Sequence, residues 1–332
     1  MWRVGNVWET LLSFENLYRA WKRVFASTKS PESYAFSFHL EKELFTLQEE
    51  LASQTYIPGD YRYFTISDPK KRVISVAPFR DRVVHHALVQ VLEPIYEKRF
   101  IYHSYATRKG KGTHKAIEQA RQYLKKSKWY LKMDISKYFD SIDHCVLKQI
   151  LERQIKDPHI LGLCARIIAK GGDGQCGLPI GNLTSQFWAN VYLDKFDHFI
   201  KDHLRVKAYL RYMDDFCIFS SDKHFLKDIL SVITQFLKTE LELKPKPRAT
   251  LINTSLHGLP FLGVRILPSL IRIGRSNFKR SFNRLKMRET EYRSGEIPYK
   301  NYLCSMESLL SHLNRWNCKE LMEKNITKIC YD

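Results

Sequence analysis

The chain has 332 residues, 44% hydrophobic and 13% aromatic, which is enough apolar material for a sizeable core and excludes a disordered chain. Lys and Arg number 54 against 35 Asp and Glu, a formal charge of +19, so the partner class favoured by composition is a polyanion, with nucleic acid foremost. Seven cysteines include no Cys-x-x-Cys pair, which speaks against a zinc site or a disulfide framework and for a reducing compartment. The first residues show no signal pattern and no apolar run reaches membrane-spanning length, so a cytoplasmic protein without a membrane partner is expected.

Residues 1–55 read as helical. Leu40, Leu44, Leu47 and Leu51 recur at helical spacing, and the aromatic residues before them (Trp2, Trp8, Phe14, Tyr18, Trp21, Phe25) are expected to pack rather than to form a base-stacking platform. A turn and a strand cover 56–66, and a second strand covers Val73–Val76. Between them lies the basic turn Asp68-Pro69-Lys70-Lys71-Arg72, where the three cations are either solvated edge charge or a clamp for a triphosphate. A helix then begins near Phe79-Arg80-Asp81-Arg82, with Val83, Val84, Ala87, Leu88, Val91, Leu92 and Ile95 inward; His85-His86 within it packs or caps. Cations dominate residues 98–128. The loop Arg108-Lys109-Gly110-Lys111-Gly112 is no ATPase-type phosphate loop, and Arg108, Lys109 and Lys111 fit either a track along a nucleic-acid backbone or a solvated loop.

Trp129–Asp134 is a strand ending in a carboxylate, followed by helical patterns over roughly 143–154 and 158–169. The glycine-rich stretch 171–182 opens a helix running to about 203; its glycines serve a tight turn or allow close approach to a ligand. In Tyr209–Phe219 two β-prone runs flank Asp214-Asp215, a hairpin with both carboxylates at its turn. Adjacent like charges repel, and hard divalent cations give such a pair a purpose. A helix over about 222–240, the cationic segment Lys244–Arg248 and two strands follow, the second ending near Ile266. Beyond 275 the chain is helical and basic. Arg280, Arg284 and Arg288 share a face there, as a solvated stripe or as contacts to a duplex, and a last helix covers roughly 297–323.

Order joins these motifs. If the strand and the hairpin are neighbours in one antiparallel sheet with helices on its far face, Asp134, Asp214 and Asp215 meet at one edge. Nucleotidyl transfer needs such a cluster: two Mg²⁺ ions stabilise the attacking 3′-oxygen and the leaving pyrophosphate, and the rest is positioning and charge.

Asp134-x4-Phe139, Leu178-Pro179-Ile180-Gly181, Tyr212-Met213-Asp214-Asp215 and Phe261-Leu262-Gly263, in this order, resemble reverse transcriptases. The form Ile180-Gly181-Asn182-Leu183-Thr184-Ser185-Gln186 is similar to the enzymes of diversity-generating retroelements, as are Asp68–Arg72, Phe79–His86 and Gly110–His114. The resemblance implies an α+β right-hand polymerase fold: an N-terminal helical region (1–55), fingers and palm with an antiparallel sheet backed by helices (56–275), and a short helical thumb (276–332). It implies RNA-directed DNA synthesis with two Mg²⁺ ions (Mn²⁺ as a substitute), a template RNA, its cDNA duplex, dNTPs and a small basic accessory protein. It assigns metal binding and catalysis to Asp134, Asp214 and Asp215. Lys70, Lys71 and Arg72 would hold the triphosphate, Phe139 would be the steric gate against a 2′-OH, and Ile180 and Gly181 would lie beside the nucleotide. Lys246 is a candidate general acid. Ile180 stands where most of the family has Gln, which implies low fidelity at template adenines. The competing readings are a retron- or phage-defence-type enzyme, an RNA-dependent RNA polymerase and an idle RNA-binding scaffold.

Overall fold

A computed structural model describes residues 3–67, 70–172, 174–314 and 316. The N-terminal region forms α1 (Trp8–Leu12), α2 (Phe14–Ser27), α3 (Pro31–Phe38) and α4 (Leu40–Ala52). Ser13 caps α2 by accepting from Asn16 N, and Ser30 and Ser33 cap α3 reciprocally with Pro31 at its first position. Inward, α2 buries Leu17, Ala20 and Val24, and α4 buries Leu44, Leu47 and Leu51. The aromatic residues pack at different depths: Trp8 is buried, while Phe14 and Tyr18 are 38% and 40% exposed. The small Leu/Ala/Val stripe takes the core contact, leaving the rings of Phe45, Phe14, Tyr18, Trp21 and Phe25 to pack in series, centroids 5.2–6.4 Å apart. Trp2 lies outside the described residues.

Next come the antiparallel hairpin β1 (Arg62–Ile66) and β2 (Arg72–Val76), then α5 (Phe79–Glu97), which buries every expected inner residue except the partly covered Ile95. Asp81 at its start accepts from Tyr56 Oη (2.8 Å) and Gly59 N (2.7 Å), which fixes the turn leading into the hairpin. His85 packs, as expected; burial drives its pKa down to about 3, so the imidazole is neutral.

The remaining elements are α6 (Thr113–Lys126), β3 (Trp129–Asp134), α7 (His144–Glu152), α8 (Pro158–Ala169), α9 (Leu183–His198, continued by a π-helical turn Phe199–His203), β4 (Tyr209–Tyr212), β5 (Asp215–Ser220), α10 (Lys223–Leu241), β6 (Leu251–Thr254), β7 (Leu259–Phe261), β8 (Val264–Ile266), β9 (Ile271–Ile273), α11 (Arg275–Arg293) and α12 (Tyr299–Asn314). The part of the expected last helix beyond residue 316 lies outside the described residues.

β4-β5-β3-β6 form one antiparallel sheet. Leu131, Met133, Tyr209, Phe216 and Ile218 meet α9 and α10 on one face, where the Phe196 and Phe216 rings lie 4.9 Å apart. The opposite face is covered too, contrary to expectation: Tyr130, Leu210, Cys217 and Phe219 pack with Ala116, Ile117, Ala120 and Leu124 of α6. Two covered faces explain why Phe216–Phe219 is an unbroken apolar run rather than an alternating one. Phe261-Leu262-Gly263 is not a continuous strand. Leu262 and Gly263 both have positive φ (47° and 84°) and turn β7 into β8, as a type I′ hairpin requires.

Candidate active site

The register of the sheet assembles the site. β3 pairs with β5 so that Asp134 lies opposite Asp215, and β4 pairs with β5 so that Tyr212 faces Asp215. Met213 and Asp214 are therefore the two turn residues, and Asp215 already belongs to the strand, one position off the expected turn. Met213 has φ +55°, a left-handed conformation that costs a non-glycine residue about 1 kcal/mol or more.

What holds that turn is a buried arginine. Arg211 is 0% exposed and forks onto Asp197 of α9 with Nε–Oδ1 at 2.8 Å and Nη2–Oδ2 at 2.6 Å. Its Nη1 donates to Asn190 Oδ1 and to the Met213 carbonyl, both at 3.1 Å. Tyr209 Oη also donates to Asp197 Oδ1 (2.6 Å), so the carboxylate is well satisfied despite full burial. Arg211 backbone groups bond His103 O and Tyr105 N, closing the outer edge of β4. None of Arg211, Asp197 and Asn190 was expected at the site. The available signal was a charge at the centre of the apolar run Tyr209–Tyr212.

The carboxylates feel one another. Burial, then Asp134, raises the pKa of Asp214, while Arg72 and Lys246 oppose the rise. Asp215 is pushed up to about 7, chiefly by burial, with Asp134 and Asp214 adding and Lys132 opposing. Lys132 Nζ lies 3.2 Å from Asp215 Oδ2, while Asp215 Oδ1 is buried without a hydrogen-bond partner. Lys246 Nζ stands 3.7 Å from Asp134 Oδ2. Its register is fixed by the backbone: Lys246 N donates to Asp134 O (2.8 Å) and Ser136 N to Lys244 O (2.9 Å). Among the described residues no three His, Cys, Asp or Glu side chains converge as a closed metal cage. Asp134 and Asp215 lean on ammonium groups instead. The orphaned Asp215 Oδ1 and the repulsion between Asp134 and Asp214 are nevertheless the donor chemistry that a hard divalent cation fits.

Beyond Asp134 the chain turns through Lys137 (φ +46°) into a 3₁₀ turn, Tyr138–Ser141, which places a half-buried Phe139 beside the glycine-rich loop. That loop hangs on the same turn: Leu178 N donates to Phe139 O and Gly177 N to Ile142 O, both 2.8 Å. At its end Ile180 O accepts from Ser75 N of β2 (2.8 Å), and Asn182 Nδ2 donates to Ser75 O (3.1 Å). Gly181, at φ +119°, is required by this approach, since a Cβ there would lie 2.8 Å from Ile74 Cγ2 and 2.9 Å from Ser75 O. Ile180 lines a cleft of about 320 Å³ with Tyr63, Ser75 and Asp140. Lys70, Lys71 and Arg72 are exposed at the hairpin tip, with Arg72 near enough to act on Asp214.

The expected basic track is corrected at Arg108. Its guanidinium turns inward, bonding Glu97 with Nε and Nη2 (2.7–3.1 Å) and donating to Ile101 O and Ser104 O. With four of its five N–H groups engaged and its side chain 5% exposed, Arg108 is turned away from any phosphate track. Lys111 donates to Tyr102 O and lies 3.2 Å from the centroid of the Tyr102 ring, while Lys109 is exposed. Arg280, Arg284 and Arg288 line a groove of about 570 Å³ between α11 and α12, with Arg288 also paired to Glu291.

A sheet edge that sets Asp134 opposite Asp215 beside the Asp214 turn, a glycine loop docked on a basic hairpin, and flanking helices compose the frame of a polymerase palm. The chain belongs to the reverse transcriptase family: residues 67–266 match the family described as Reverse transcriptase (RNA-dependent DNA polymerase), and it is an RNA-directed DNA polymerase. It is 27% identical over 281 residues to Protein YkfC of Escherichia coli (strain K12), covering 71% of this chain and 74% of that protein. To the Group II intron-encoded protein LtrA of Lactococcus lactis subsp. cremoris it is 27% identical over 199 residues, covering 57% of this chain but 33% of that protein. The solved structure of apo telomerase from Candida tropicalis superposes with a TM-score of 0.51 at 15% identity, over 68% of this chain and 52% of that one, and shows the shared right-hand polymerase fold. The chain thus spans about three quarters of the first relative, a third of the second and half of the structural neighbour. No helix among the described residues is long and apolar enough to cross a membrane.

Proposed function

We propose that the protein copies a template RNA into cDNA with low fidelity at template adenines, as the reverse transcriptase of a diversity-generating retroelement. The observation that carries the low-fidelity reading is Ile180. Its carbonyl is already bonded to Ser75 N, and its side chain is apolar, so it has no polar group with which to check the base pair. The form of the 180–186 block supports the retroelement class, and the net charge of +19 supports the RNA and duplex partners.

In this reading Asp134 and Asp214 hold two Mg²⁺ ions, with Mn²⁺ able to substitute, and Asp215 completes the set from its place beside Lys132. When bound, the ions stabilise charge on the attacking 3′-oxygen and on the leaving pyrophosphate. Arg72, with Lys70 and Lys71, neutralises the triphosphate from the fingers side. The Phe139 ring fills the space that a ribose 2′-OH needs, selecting dNTPs. Lys246, beside Asp134, delivers a proton to the leaving pyrophosphate. Lys109 and the arginines of α11 bear on the nucleic-acid backbone, and a small basic accessory protein assists RNA binding.

Copying a defined RNA in vitro and sequencing the product tests the reading. Misincorporation should concentrate at template adenines, and Ile180→Gln should reduce it about tenfold, a difference of ~1.4 kcal/mol in discrimination. Equal error at all four bases would leave an ordinary polymerase like the intron-encoded relatives.

A further inference from the structure

α9 begins at the Gly181 loop, and its 16 residues end about 24 Å away at a second cleft, of about 550 Å³. The end of α5, α7, α10 and the π-helical turn Phe199–His203 surround it. π-helical turns are rare and concentrate at functional positions. The volume is in the range of small-molecule sites.

Three polar atoms of the lining are buried and lack a hydrogen-bond partner: Tyr96 Oη, Arg99 Nε and Asp194 Oδ1. Tyr96 is 1% exposed and Asp194 7%. The His198 imidazole beside Asp194 is otherwise engaged, bonding Asp202 Oδ2 through Nδ1 (2.7 Å) and Arg99 O through Nε2 (3.2 Å), and stands 3.6 Å from Asp194 Oδ1. Buried polar groups are as a rule satisfied, and one acceptor, one donor and one hydroxyl left over around a single cleft describe the missing partner. It presents a donor and an acceptor side by side on a rigid edge. The Phe199 and Phe236 rings, stacked 3.9 Å apart at 10°, give the cleft a flat apolar wall, and Arg153 adds a cation to the lining.

We propose that this cleft binds one nucleotide unit. The base lies along the phenylalanine wall, its edge donates N–H to Asp194 Oδ1 and accepts from Arg99 Nε or Tyr96 Oη, and its 5′-phosphate meets Arg153. Every nucleobase carries adjacent donors and acceptors, whereas a phosphate alone would leave Asp194 unpaired. Burial raises the Asp194 pKa to about 6, so at neutral pH the carboxylate is mainly an acceptor, as the assignment requires. The unit is either a free nucleotide or a residue extruded from a bound RNA.

Isothermal titration of the full chain without divalent cation, at salt high enough to suppress backbone contacts along the basic groove, tests this. The four nucleoside 5′-monophosphates and single-stranded RNA hexamers serve as probes. At least one probe should bind at a single site, weakened tenfold or more by Tyr96→Phe and by Asp194→Asn and unchanged by Asp214→Asn. Tyr96→Phe removes one oxygen without altering packing, so its effect does not depend on how well Asp194→Asn folds. Binding of a monophosphate identifies a free nucleotide as the source. Binding of a hexamer alone, with the same sensitivity, identifies an RNA residue. Failure of every probe at millimolar concentration, indifference to both cleft variants, or loss with Asp214→Asn would each overturn the assignment.

Discussion

At the β4–β5 turn, a wholly buried arginine spends its guanidinium on Asp197, Asn190 and the Met213 carbonyl, and both faces of the sheet behind it are covered. At the β1–β2 hairpin every residue of β1 is exposed, and among the described residues the hydrogen bonds to the palm run through Ser75. Arg72 of the hairpin acts on Asp214 of the turn, so the two regions flank one site, yet they are held by different means. The palm fixes its carboxylates through buried charge, where each lost partner is expensive. The hairpin meets the palm at Ser75 beside a missing side chain, and a further contact, Arg62 to Glu32 of α3, lies exposed to solvent. The chemistry is therefore set by stability, and substrate handling by local fit.

Four experiments sharpen or break this contrast. Asp134→Ala or Asp214→Ala should lower primer extension by about 10³-fold or more, because the role is charge placement at the reacting atoms. Thermal melting should be unchanged or slightly raised, since one of two repelling carboxylates is gone. Loss of folding instead would place these residues among the structural ones.

Arg211→Met should destabilise the protein by about 3–5 kcal/mol in denaturant titrations, because it strands the Asp197 carboxylate in the interior. Adding Asp197→Leu should return most of that loss. If the double variant is no better than the single one, the arginine's value lies in packing rather than in the ion pair.

Gly181→Ala should act on the other side of the contrast. The added methyl meets Ile74 and Ser75, and the hairpin yields before the core does. The dNTP KM should rise about tenfold with kcat and melting temperature little changed. A fall in melting temperature as large as that of Arg211→Met would show that the hairpin is not a separate, loosely held unit.

The smallest effect is one of pH. Asp215 titrates near 7 in the folded chain, mainly through burial, and an unfolded aspartate titrates near ~4. Between those values the native state keeps a proton that the unfolded state has lost. The contribution to stability is therefore complete below about pH 4 and is lost as pH rises through 7. Asp215→Asn, which is always neutral, should melt above the parent at pH 8, with the gap closing toward pH 5. A gap that does not vary with pH would contradict the assignment.

Much of this was legible in the sequence where periodicity and punctuation agree. The strand Trp129–Asp134, the helices capped by Asp143 and Asp157, and the hairpin around Asp214 follow from apolar pattern and turn chemistry. What stayed hidden depends on distant partners. Arg108 sits in a run of cations and reads as one more phosphate contact, and only Glu97 and two carbonyls folding over it show otherwise. Arg211 could not be matched to Asp197 because the pair spans a helix and a strand. β9 was missed because three residues bounded by a turn and a glycine are too short for alternation to register. The depth of the α2 rings was not legible because the helix carries two apolar stripes and only one can face the core.

The pairing of Asp134 with Asp215 has a consequence for synthesis of the chain. Strand β3 is translated about 80 residues before β5, its first neighbour, and longer still before β6. At ~5–20 residues per second on the ribosome, that leaves the apolar strand Trp129–Met133 without a ladder for roughly 4–16 s. Lys132, which later pairs with Asp215, is the one charge within that stretch and interrupts it against premature association during the wait.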